Sequence, residues 1–313
     1  MTDTDFRRYL AAKRAVDDRG LDRRLVDRLR DGLAERAAEG PLRVVEVGAG
    51  VGTMVERLFE WDVLPPGRTE YAAVDVDAGN VAAMRERLPA WAEDNGVAVT
   101  VEGDRIRLVG DERTVVVRPV AAEATAYLQG DARTGSPGSD SDGDAGADLL
   151  VGMALLDILG LETLPALLDG VAPGGWWYFP VTFDGVTRFA PAHPADRAVE
   201  RAYHRHMDRK PGGDSRAGTH ALGRLRESDR TLDVDAAGSD WAVRPVDGSY
   251  PGDEAYVVRH VLATVEEAVG EVTGPGFRGT LREWLDCRRR QLASAALVYT
   301  THQLDLIGRV REA

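Results

Sequence analysis

The feature that most constrains the fold of this chain is a series of alternating glycines directly after an apolar segment. Four of the six residues 42–47 are apolar, Glu46 lies close to their end, and Gly48, Gly50 and Gly52 follow at every second position. A near-continuous apolar stretch of this length is typical of a parallel strand buried on both faces. Glycines after it allow a tight turn and let a ligand approach the main chain closely. The motif therefore predicts a nucleoside site at the carboxyl end of a first β-strand.

The rest of the chain alternates between strand-like and helix-like segments. Apolar spacings of three and four predict an amphipathic helical N-terminus over residues 3–39, ended by Gly40-Pro41. Further strands are predicted at residues 71–76, 97–101, 105–109, 115–117, 148–152, 176–181, 241–243 and 296–308. Helices are predicted at 52–60, 79–94, 162–171, 194–232 in two pieces, 252–270 and 278–293. This alternation predicts a mostly parallel sheet with helices on both faces.

Length and composition narrow the class of protein. A chain of 313 residues fits one large α/β domain with an elaboration, or two small domains. Its single cysteine, Cys287, excludes an intramolecular disulfide and a thiolate metal cluster. No apolar segment approaches the roughly 20 residues that span a bilayer, and the acidic first residues lack the apolar core of a signal peptide. We expect a soluble, cytoplasmic protein that does not contact membranes.

The charged residues of this chain include unusually few lysines. The formal net charge is -13, and only Lys13 and Lys210 are lysines among 39 basic residues. Many carboxylates with almost no lysine resemble proteins of salt-loving archaea, where concentrated salt screens charge repulsion over about 3 Å. A GC-rich genome that favours arginine codons is the alternative. An acidic chain argues against long-range attraction to nucleic acid, although this argument weakens if the acidity is an adaptation to salt.

Residues 130–147 form a low-complexity acidic segment without any large apolar side chain, which is typical of a loop. Its aspartates lack the ordered spacing and the closing glutamate of a calcium-binding loop. We therefore expect no metal site in this segment, and no bound metal elsewhere in the protein.

The spacing of the glycines distinguishes two nucleoside ligands. The dinucleotide fingerprint Gly-x-Gly-x-x-Gly would place its last glycine at position 53, but that residue is Thr53 and the third glycine is Gly52. The pattern from Glu46 to Gly52, acidic-x-Gly-x-Gly-x-Gly, resembles the first motif of class I S-adenosylmethionine-dependent methyltransferases. Asp75, at the end of the second predicted strand, matches the second-strand acid of that family.

Two later segments extend the resemblance over residues 42–181. Asp148-Leu149-Leu150-Val151-Gly152-Met153 resembles the family's fourth strand, and residues 167–176 resemble its next helix, Pro-Gly-Gly turn and fifth strand. The resemblance implies an α/β fold with a Rossmann-like seven-stranded methyltransferase sheet, whose last strand is antiparallel. An N-terminal helix and a helical C-terminal elaboration would be added to it. The expected parts of this single domain are residues 1–40 (N-terminal helical segment), 41–181 (S-adenosylmethionine-binding core) and 182–313 (completion of the sheet, with lid helices).

The resemblance also implies which residues hold S-adenosyl-L-methionine. Glu46 suits the positively charged end of this cofactor, Asp75 would accept hydrogen bonds from both ribose hydroxyls, and Val76 would pack on the adenine. The polar adenine contact that often follows the third strand in the family is indistinct here. A backbone amide within residues 120–122 or the side chain of Glu123 is the candidate for that contact.

The N-terminal helix offers further cofactor contacts. Tyr9, Lys13 and Arg19 are candidates for the carboxylate of the methionine moiety, and the alternative is a helix that only packs on the sheet. The complete predicted set of cofactor-binding residues is Glu46, Gly48, Ala49, Gly50, Gly52, Asp75, Val76, Val120, Ala121, Gly152, Met153, Tyr9, Lys13 and Arg19.

Methyl transfer from a sulfonium mainly requires that the nucleophile be aligned with the methyl carbon, and such positioning can supply roughly 7–11 kcal/mol. A general base is needed only when the acceptor is protonated and weakly acidic, so no fixed catalytic motif is expected. The candidate acceptor-side residues are Asp184 after the fifth strand, Asp157 after the fourth, and His206 in a polar-aromatic segment. The respective alternatives are a turn, a helix cap and an exposed helix face.

The sequence therefore predicts an S-adenosylmethionine-dependent methyltransferase with a small-molecule methyl acceptor. No Asn/Asp-Pro-Pro-aromatic motif follows the fourth strand, which disfavours amino-methylation of adenine or glutamine. Cys287 lies on a late helix, which disfavours cysteine-dependent methylation of pyrimidines. Nucleic acid is not the expected partner, and an RNA methyltransferase is the second choice. From other classes, an NAD(P)-dependent oxidoreductase and a non-catalytic S-adenosylmethionine-binding protein stay open.

Overall fold

The computed structural model describes residues 3–130 and 146–312, and the predicted acidic loop at 130–147 lies almost wholly outside these described residues. The strands within the two ranges are β1 (Leu42–Val47), β2 (Gly67–Asp75), β3 (Ala98–Glu102), β4 (Arg105–Val109), β5 (Arg113–Ala121), β6 (Ala147–Val151), β7 (Val171–Ala190), β8 (Thr231–Gly238), β9 (Trp241–Val243) and β10 (Val298–Val310). The helices there are α1 (Asp3–Ala12), α2 (Arg14–Gly20), α3 (Arg23–Ala37), α4 (Thr53–Glu60), α5 (Ala78–Asp94), α6 (Ala124–Leu128), α7 (Leu156–Leu159), α8 (Leu164–Asp169), α9 (Asp196–Met207), α10 (Ala217–Glu227), α11 (Glu254–Val272) and α12 (Arg278–Ala293).

The strands form one sheet in the order β3-β4-β5-β2-β1-β6-β7-β10-β8, and β9 pairs with the start of β10. The central strands β5, β2, β1, β6 and β7 are all parallel, and β10 is antiparallel to both β7 and β8. This arrangement confirms the predicted Rossmann-like sheet with an antiparallel last strand. The order of connection reverses at β1, between β2 and β6, and such a switch point is where open α/β sheets bind ligands.

Both faces of the sheet are covered, which explains why its central strands are so apolar. Val44 on β1 packs in one core cluster together with Leu25 and Leu29 of α3. Its neighbour Val45 points to the opposite face and packs in a second cluster with Leu168 of α8. The helical pattern predicted for residues 3–39 is confirmed as three successive helices, and its leucine row is buried.

The sheet is larger than the sequence predicted. The strand beside β10 is β8, in a stretch whose first residues were predicted to be helical, and Trp241–Val243 is only a short addition to β10. Strand β8 lies at the edge of the sheet and alternates aspartates with Leu232 and Val234, so its apolar signal is weak. The predicted turn at residues 173–175 is instead part of β7.

Helices α9, α10 and α12 pack against the long strand β7. At its carboxyl end, β7 pairs with the beginning of β10, with Ala190 opposite Val298. The ring centroid of Phe189 on β7 lies 5.2 Å from that of Trp284 on α12 and 5.1 Å from that of Tyr299 on β10. Helix α11 contacts α1, α9 and α12. Across residues 3–130 and 146–312, no helix combines the length and apolarity needed to cross a bilayer.

Candidate functional site

The glycine loop after β1 has a backbone conformation in which residues other than glycine would be strained. Gly48, Gly50 and Gly52 all have positive φ, at 69°, 55° and 85°. A Cβ on Gly48 would lie 2.8 Å from a methyl carbon of Leu155, and one on Gly52 would lie 2.8 Å from Met84 of α5. Gly48 therefore keeps the loop close to the end of β6, whereas Gly52 allows α4 to pack against α5.

Asp75 ends β2 and is held in place by the loop and by α5. One carboxylate oxygen accepts a hydrogen bond of 2.7 Å from the backbone N–H of Gly50. The other oxygen accepts hydrogen bonds from the N–H of Asp77 at 2.9 Å and from the side chain of Asn80 at 3.2 Å. The acid is only 7% exposed, so its orientation is fixed before any ligand arrives.

A cavity of about 410 Å³ opens at this switch point, where the strands β1, β2, β5 and β6 end. This volume is within the usual range for small-molecule and cofactor sites. Its lining residues are Phe6, Leu10, Lys13, Glu46, Gly48, Ala49, Gly50, Val51, Thr53, Val74, Asp75, Val76, Asp77, Asn80, Ala122, Glu123, Ala124, Met153, Ala154, Leu155, Ile158 and Leu159. Eight of the predicted cofactor-binding residues lie in this lining: Lys13, Glu46, Gly48, Ala49, Gly50, Asp75, Val76 and Met153.

The mouth of the cavity is lined by apolar side chains that solvent can reach. Val76 is 78% exposed, Ile158 63% and Phe6 40%, and all three line the cavity. Exposed large apolar groups gathered at one place mark a binding surface more often than scattered ones do. Such a surface suits a flat, weakly polar ring, as the prediction for Val76 requires.

Glu46 is the acid of the glycine motif and lines the floor of the cavity at 2% exposure. The hydroxyl of Tyr71 donates a hydrogen bond of 2.8 Å to its carboxylate. Burial raises the pKa of Glu46 to about 8, although the Tyr71 hydrogen bond and the positive charge of Arg57 oppose this rise. A cationic ligand group beside Glu46 would favour its ionised form.

The N-terminal helices form one wall of the cavity and are fixed to its floor by buried ion pairs. Lys13 lines the cavity, and its Nζ lies 2.6 Å from the carboxylate of Asp17. The guanidinium of Arg57 on α4 lies 2.5 Å from Asp18 and also donates to the sulfur of Met153 at 3.3 Å. These contacts position the glycine loop, α2 and the end of β6 relative to one another.

Tyr9 and Arg19, the other N-terminal candidates, are not in the lining of this cavity. The ring of Tyr9 stacks on His260 of α11, with 3.9 Å between ring centroids. The guanidinium of Arg19 lies 2.6 Å from Glu254, which is also on α11. Both side chains therefore join the N-terminal helices to α11.

Three more predicted cofactor residues do not line the cavity themselves but directly precede residues that do. Val120 and Ala121 are the last residues of β5, and the lining continues with Ala122 and Glu123. The carboxylate of Glu123 accepts hydrogen bonds from the N–H of Ala126 and the hydroxyl of Thr125, so it caps α6. Gly152 donates its N–H to the carbonyl of Tyr178 on β7, behind the lining residue Met153.

The three acceptor-side candidates have different surroundings. Asp184 accepts hydrogen bonds from the N–H and hydroxyl of Thr219, at 2.8 and 2.6 Å, near the start of α10. His206 is 7% exposed, its Nδ1 lies 3.3 Å from Glu271, and burial lowers its pKa. Asp157 lies on α7, directly before the lining residue Ile158, and burial raises its pKa to about 6. Only Asp157 is placed next to the cavity.

The structure adds lining residues that the sequence did not single out. Phe6 and Leu10 lie one helical turn apart on α1, and their i, i+4 spacing was the available signal. Ile158 and Leu159 follow β6 in a helix of only four residues, which gives no periodic pattern. Asn80 supports Asp75, and nothing in its local sequence distinguishes it. Within the described ranges, no three His, Cys, Asp or Glu side chains are grouped as metal ligands.

Comparison with known proteins gives only remote structural similarity. No protein-family model matches the sequence, and no curated protein matches it either. A solved structure of phosphoethanolamine N-methyltransferase 2 from Haemonchus contortus with S-adenosyl-L-methionine matches 90% of this chain and 52% of that one, at 10% identity and a TM-score of 0.38. The chain thus spans about half the length of that protein.

Two further structures match more evenly in length. A putative sarcosine dimethylglycine methyltransferase from Galdieria sulphuraria shows 13% identity over 91% of this chain and 85% of that one, with a TM-score of 0.38. A cyclopropane synthase from Mycobacterium tuberculosis shows 11% identity over 90% and 82%, with a TM-score of 0.40. At these values the acceptors of those proteins say nothing about the acceptor of this chain.

Proposed function

We propose that this protein is an S-adenosylmethionine-dependent methyltransferase with a small-molecule acceptor. The observation that carries the proposal is that Glu46 and Asp75, at the ends of adjacent strands, face one cavity across the glycine loop. Asp75 suits the two hydroxyls of a ribose, and Glu46 suits an ammonium group. The exposed, apolar side chain of Val76, next to Asp75, suits contact with the adenine ring.

Glu46 and the spacing of the glycines argue against a nicotinamide dinucleotide. A dinucleotide places its doubly charged pyrophosphate on the glycine loop. Here that loop is flanked by two carboxyl groups, and Gly52 packs against α5 rather than lining the cavity. An anion at this position would meet the carboxylate of Asp75 and would hold Glu46 in its neutral form, so neither acid would stabilise it. A zwitterionic ligand with a sulfonium meets no such repulsion.

A small acceptor is supported by the way the carboxyl end of the sheet is covered. Helix α1 forms part of the cavity wall. It is joined to the start of α5 by an ion pair of 3.3 Å between Arg7 and Asp77. On its other side, the stacking of Tyr9 on His260 joins α1 to α11. These helices cover part of the carboxyl end of the sheet, and a partly covered cavity of about 410 Å³ has the size of a site for small molecules.

When bound, S-adenosylmethionine supplies an electrophilic methyl group on a good leaving group. The residues of this chain would bind its ribose and amino group and hold the acceptor in line with the methyl carbon. Alignment of this kind, rather than acid–base chemistry, carries most of the rate enhancement in such reactions.

The proposal is tested by ultraviolet crosslinking of S-adenosylmethionine carrying a tritiated methyl group, followed by mass spectrometry of tryptic peptides. We expect label in peptides that contain cavity residues, namely those around residues 46–53, 74–80 and 153–159. Excess S-adenosylhomocysteine should suppress the label, and the same excess of NADH should not. Label confined to other peptides, or equal suppression by NADH, would contradict the proposal.

A further inference from the structure

A second concave site lies between the carboxyl end of β7 and helix α9. Its volume is about 420 Å³, which is within the usual range for sites that bind small molecules. Three arginines line it, Arg188 near the end of β7 and Arg197 and Arg201 on α9, and we call this site the arginine groove. Among the residues that the structure describes, none lines both this groove and the cofactor cavity. The two sites are therefore separate.

The two acids that line the arginine groove are already bound by other groups. Asp196 accepts a hydrogen bond of 2.7 Å from the indole N–H of Trp284 and pairs with the buried guanidinium of Arg288. The carboxylate of Glu200 lies 3.8 Å from the guanidinium of Arg188. Each acid of the groove thus has a cation of its own.

Arg197 and Arg201 are the cations of the groove that stay unpaired. Both are exposed and lie one helical turn apart on α9, and Arg205 continues the row by one more turn. Within residues 3–130 and 146–312, neither guanidinium of the groove pair has a hydrogen-bond or ion-pair partner. Like charges at this spacing repel each other and destabilise a helix. The chain has 52 acidic residues against 39 lysines and arginines, so a shortage of carboxylates does not explain the unpaired row.

The charge and the lining of the groove together indicate the class of ligand. Once each acid is counted with its own cation, two positive charges remain, on Arg197 and Arg201. Two charges match a dianion, and the planar guanidinium binds phosphate oxygens through two parallel hydrogen bonds. The half-buried side chain of Phe189 also lines the groove and offers an apolar surface beside the arginines. A dianion that carries an apolar group fits both features.

We propose that the arginine groove binds a small organic phosphate monoester, with the phosphate held by Arg197 and Arg201 and the organic group against Phe189. A phosphate monoester carries close to two negative charges at pH 7.5, because its second pKa is about 6. The groove shares no lining residue with the cofactor cavity among the described residues, so this binding does not depend on the methyltransferase function.

The test is calorimetric titration of the full chain at pH 7.5 with phenyl phosphate, inorganic phosphate and phenol as separate probes. Phenyl phosphate should bind saturably, one molecule per chain, and about tenfold or more tightly than either of the other two. Arg201→Gln and Arg197→Gln should each weaken its binding by about 10- to 100-fold, the range expected for hydrogen bonds to a charged group. Arg226→Gln is the matched control, at an exposed arginine of α10 outside the groove lining, and should bind normally.

Because Arg201 is exposed, Arg201→Gln should unfold at a temperature no lower than wild type, and its loss of binding then reports on the groove. Equal affinities of wild type, Arg197→Gln and Arg201→Gln for phenyl phosphate would overturn the proposal. Inorganic phosphate binding as tightly as phenyl phosphate would exclude an organic group in the site. A short oligothymidylate that binds where phenyl phosphate does not would make the groove a nucleic-acid site and would also contradict the proposal.

Discussion

Asp75 and Gly50 are joined by a 2.7 Å hydrogen bond from the Gly50 N–H to a carboxylate oxygen. This bond connects the ends of two adjacent parallel strands, and it fixes the glycine loop relative to the acid that would hold the ribose. Asn80 and the N–H of Asp77 support the other oxygen. The site is therefore preorganised, which reduces the conformational cost of binding a ligand.

Asp75→Asn should weaken the binding of S-adenosylhomocysteine by about 10- to 100-fold, the range expected for hydrogen bonds to a charged group. The amide would place N–H donors opposite other donors and would accept fewer ribose hydrogen bonds. Calorimetry measures the loss. Asp94→Asn makes the same change of charge at the exposed end of α5 and should leave the affinity unchanged within twofold. Equal affinities for the two variants would exclude Asp75 from the cofactor site.

Glu46 should release a proton when the cofactor binds. Its pKa in the empty site is about 8, raised chiefly by burial, so the carboxyl is mostly protonated at pH 7. An ammonium group beside it lowers that pKa, and the proton then leaves. Calorimetry in buffers of different ionisation enthalpy should show close to one proton released at pH 7, and none of it in Glu46→Gln. The same proton count for both proteins would show that Glu46 does not contact the cofactor.

The pKa of Glu46 also predicts how stability depends on pH. The folded state holds a proton that the unfolded state loses near pH 4.5, the ordinary value for this group. The contribution of Glu46 to the free energy of unfolding should therefore fall as pH rises from about 4.5 to 8. Urea unfolding at several pH values measures this as the free energy of unfolding of wild type minus that of Glu46→Gln, which should fall as pH rises. A rise of this quantity with pH over the same range would contradict the assigned direction of the shift.

Val76→Ala should reduce affinity for S-adenosylhomocysteine without reducing stability. The side chain is 78% exposed, so the fold gains little from it, whereas an adenine ring would cover it. Removing two carbon groups that the adenine covers corresponds to roughly 1.6 kcal/mol, or about fifteenfold in affinity. Val101→Ala, at a 58% exposed valine on β3 away from the cavity lining, is the matched control and should bind normally. Normal binding by Val76→Ala would place the adenine elsewhere.

Asp17→Asn should destabilise the protein strongly because Asp17 is fully buried between two cations. Its carboxylate lies 2.6 Å from Lys13 and 3.9 Å from Arg57. Breaking a buried pair typically costs about 3–5 kcal/mol. Asp27→Asn breaks an exposed pair with Arg30 and should cost less than about 1 kcal/mol. Urea unfolding followed by tryptophan fluorescence compares the two, and losses of equal size would argue against the buried network.

Asp184 and Thr219 make contacts typical of a helix cap. Asp184→Ala should therefore lower the free energy of unfolding by about 1 kcal/mol, the usual effect of losing such a cap. Binding of S-adenosylhomocysteine should not change. Since the sequence alone left Asp184 as an acceptor-side candidate, a normal stability with a large loss of methyl transfer would restore that role.

The fold and the part of the cavity lining around the glycine loop could be predicted from sequence because their signals are local. The apolar residues of β1 and the glycines after it are adjacent in the chain, and the structure gives β1 the predicted bounds. Asp75 and Val76 follow from the same βαβ unit. The positive φ values of the three glycines are a backbone property that only a few residue types tolerate.

What could not be predicted depends on contacts between distant segments. The partner of Tyr9 is His260, some 250 residues later, and nothing near either residue indicates the stacking. Strand β8 was missed because an edge strand buries few side chains. Its few apolar residues alternate with aspartates, which makes its hydrophobic signal weak. Arg57 follows the glycine motif as an ordinary helix residue, yet it is 1% exposed and joins α2 to the cavity floor.

The most direct test of the cofactor assignment is calorimetric titration of the wild-type chain with S-adenosylhomocysteine and, separately, with NADH. The geometry of Glu46, Gly50 and Asp75 predicts saturable binding of S-adenosylhomocysteine, one molecule per chain, and no measurable binding of NADH at the same concentrations. Saturable binding of NADH without binding of S-adenosylhomocysteine would contradict it.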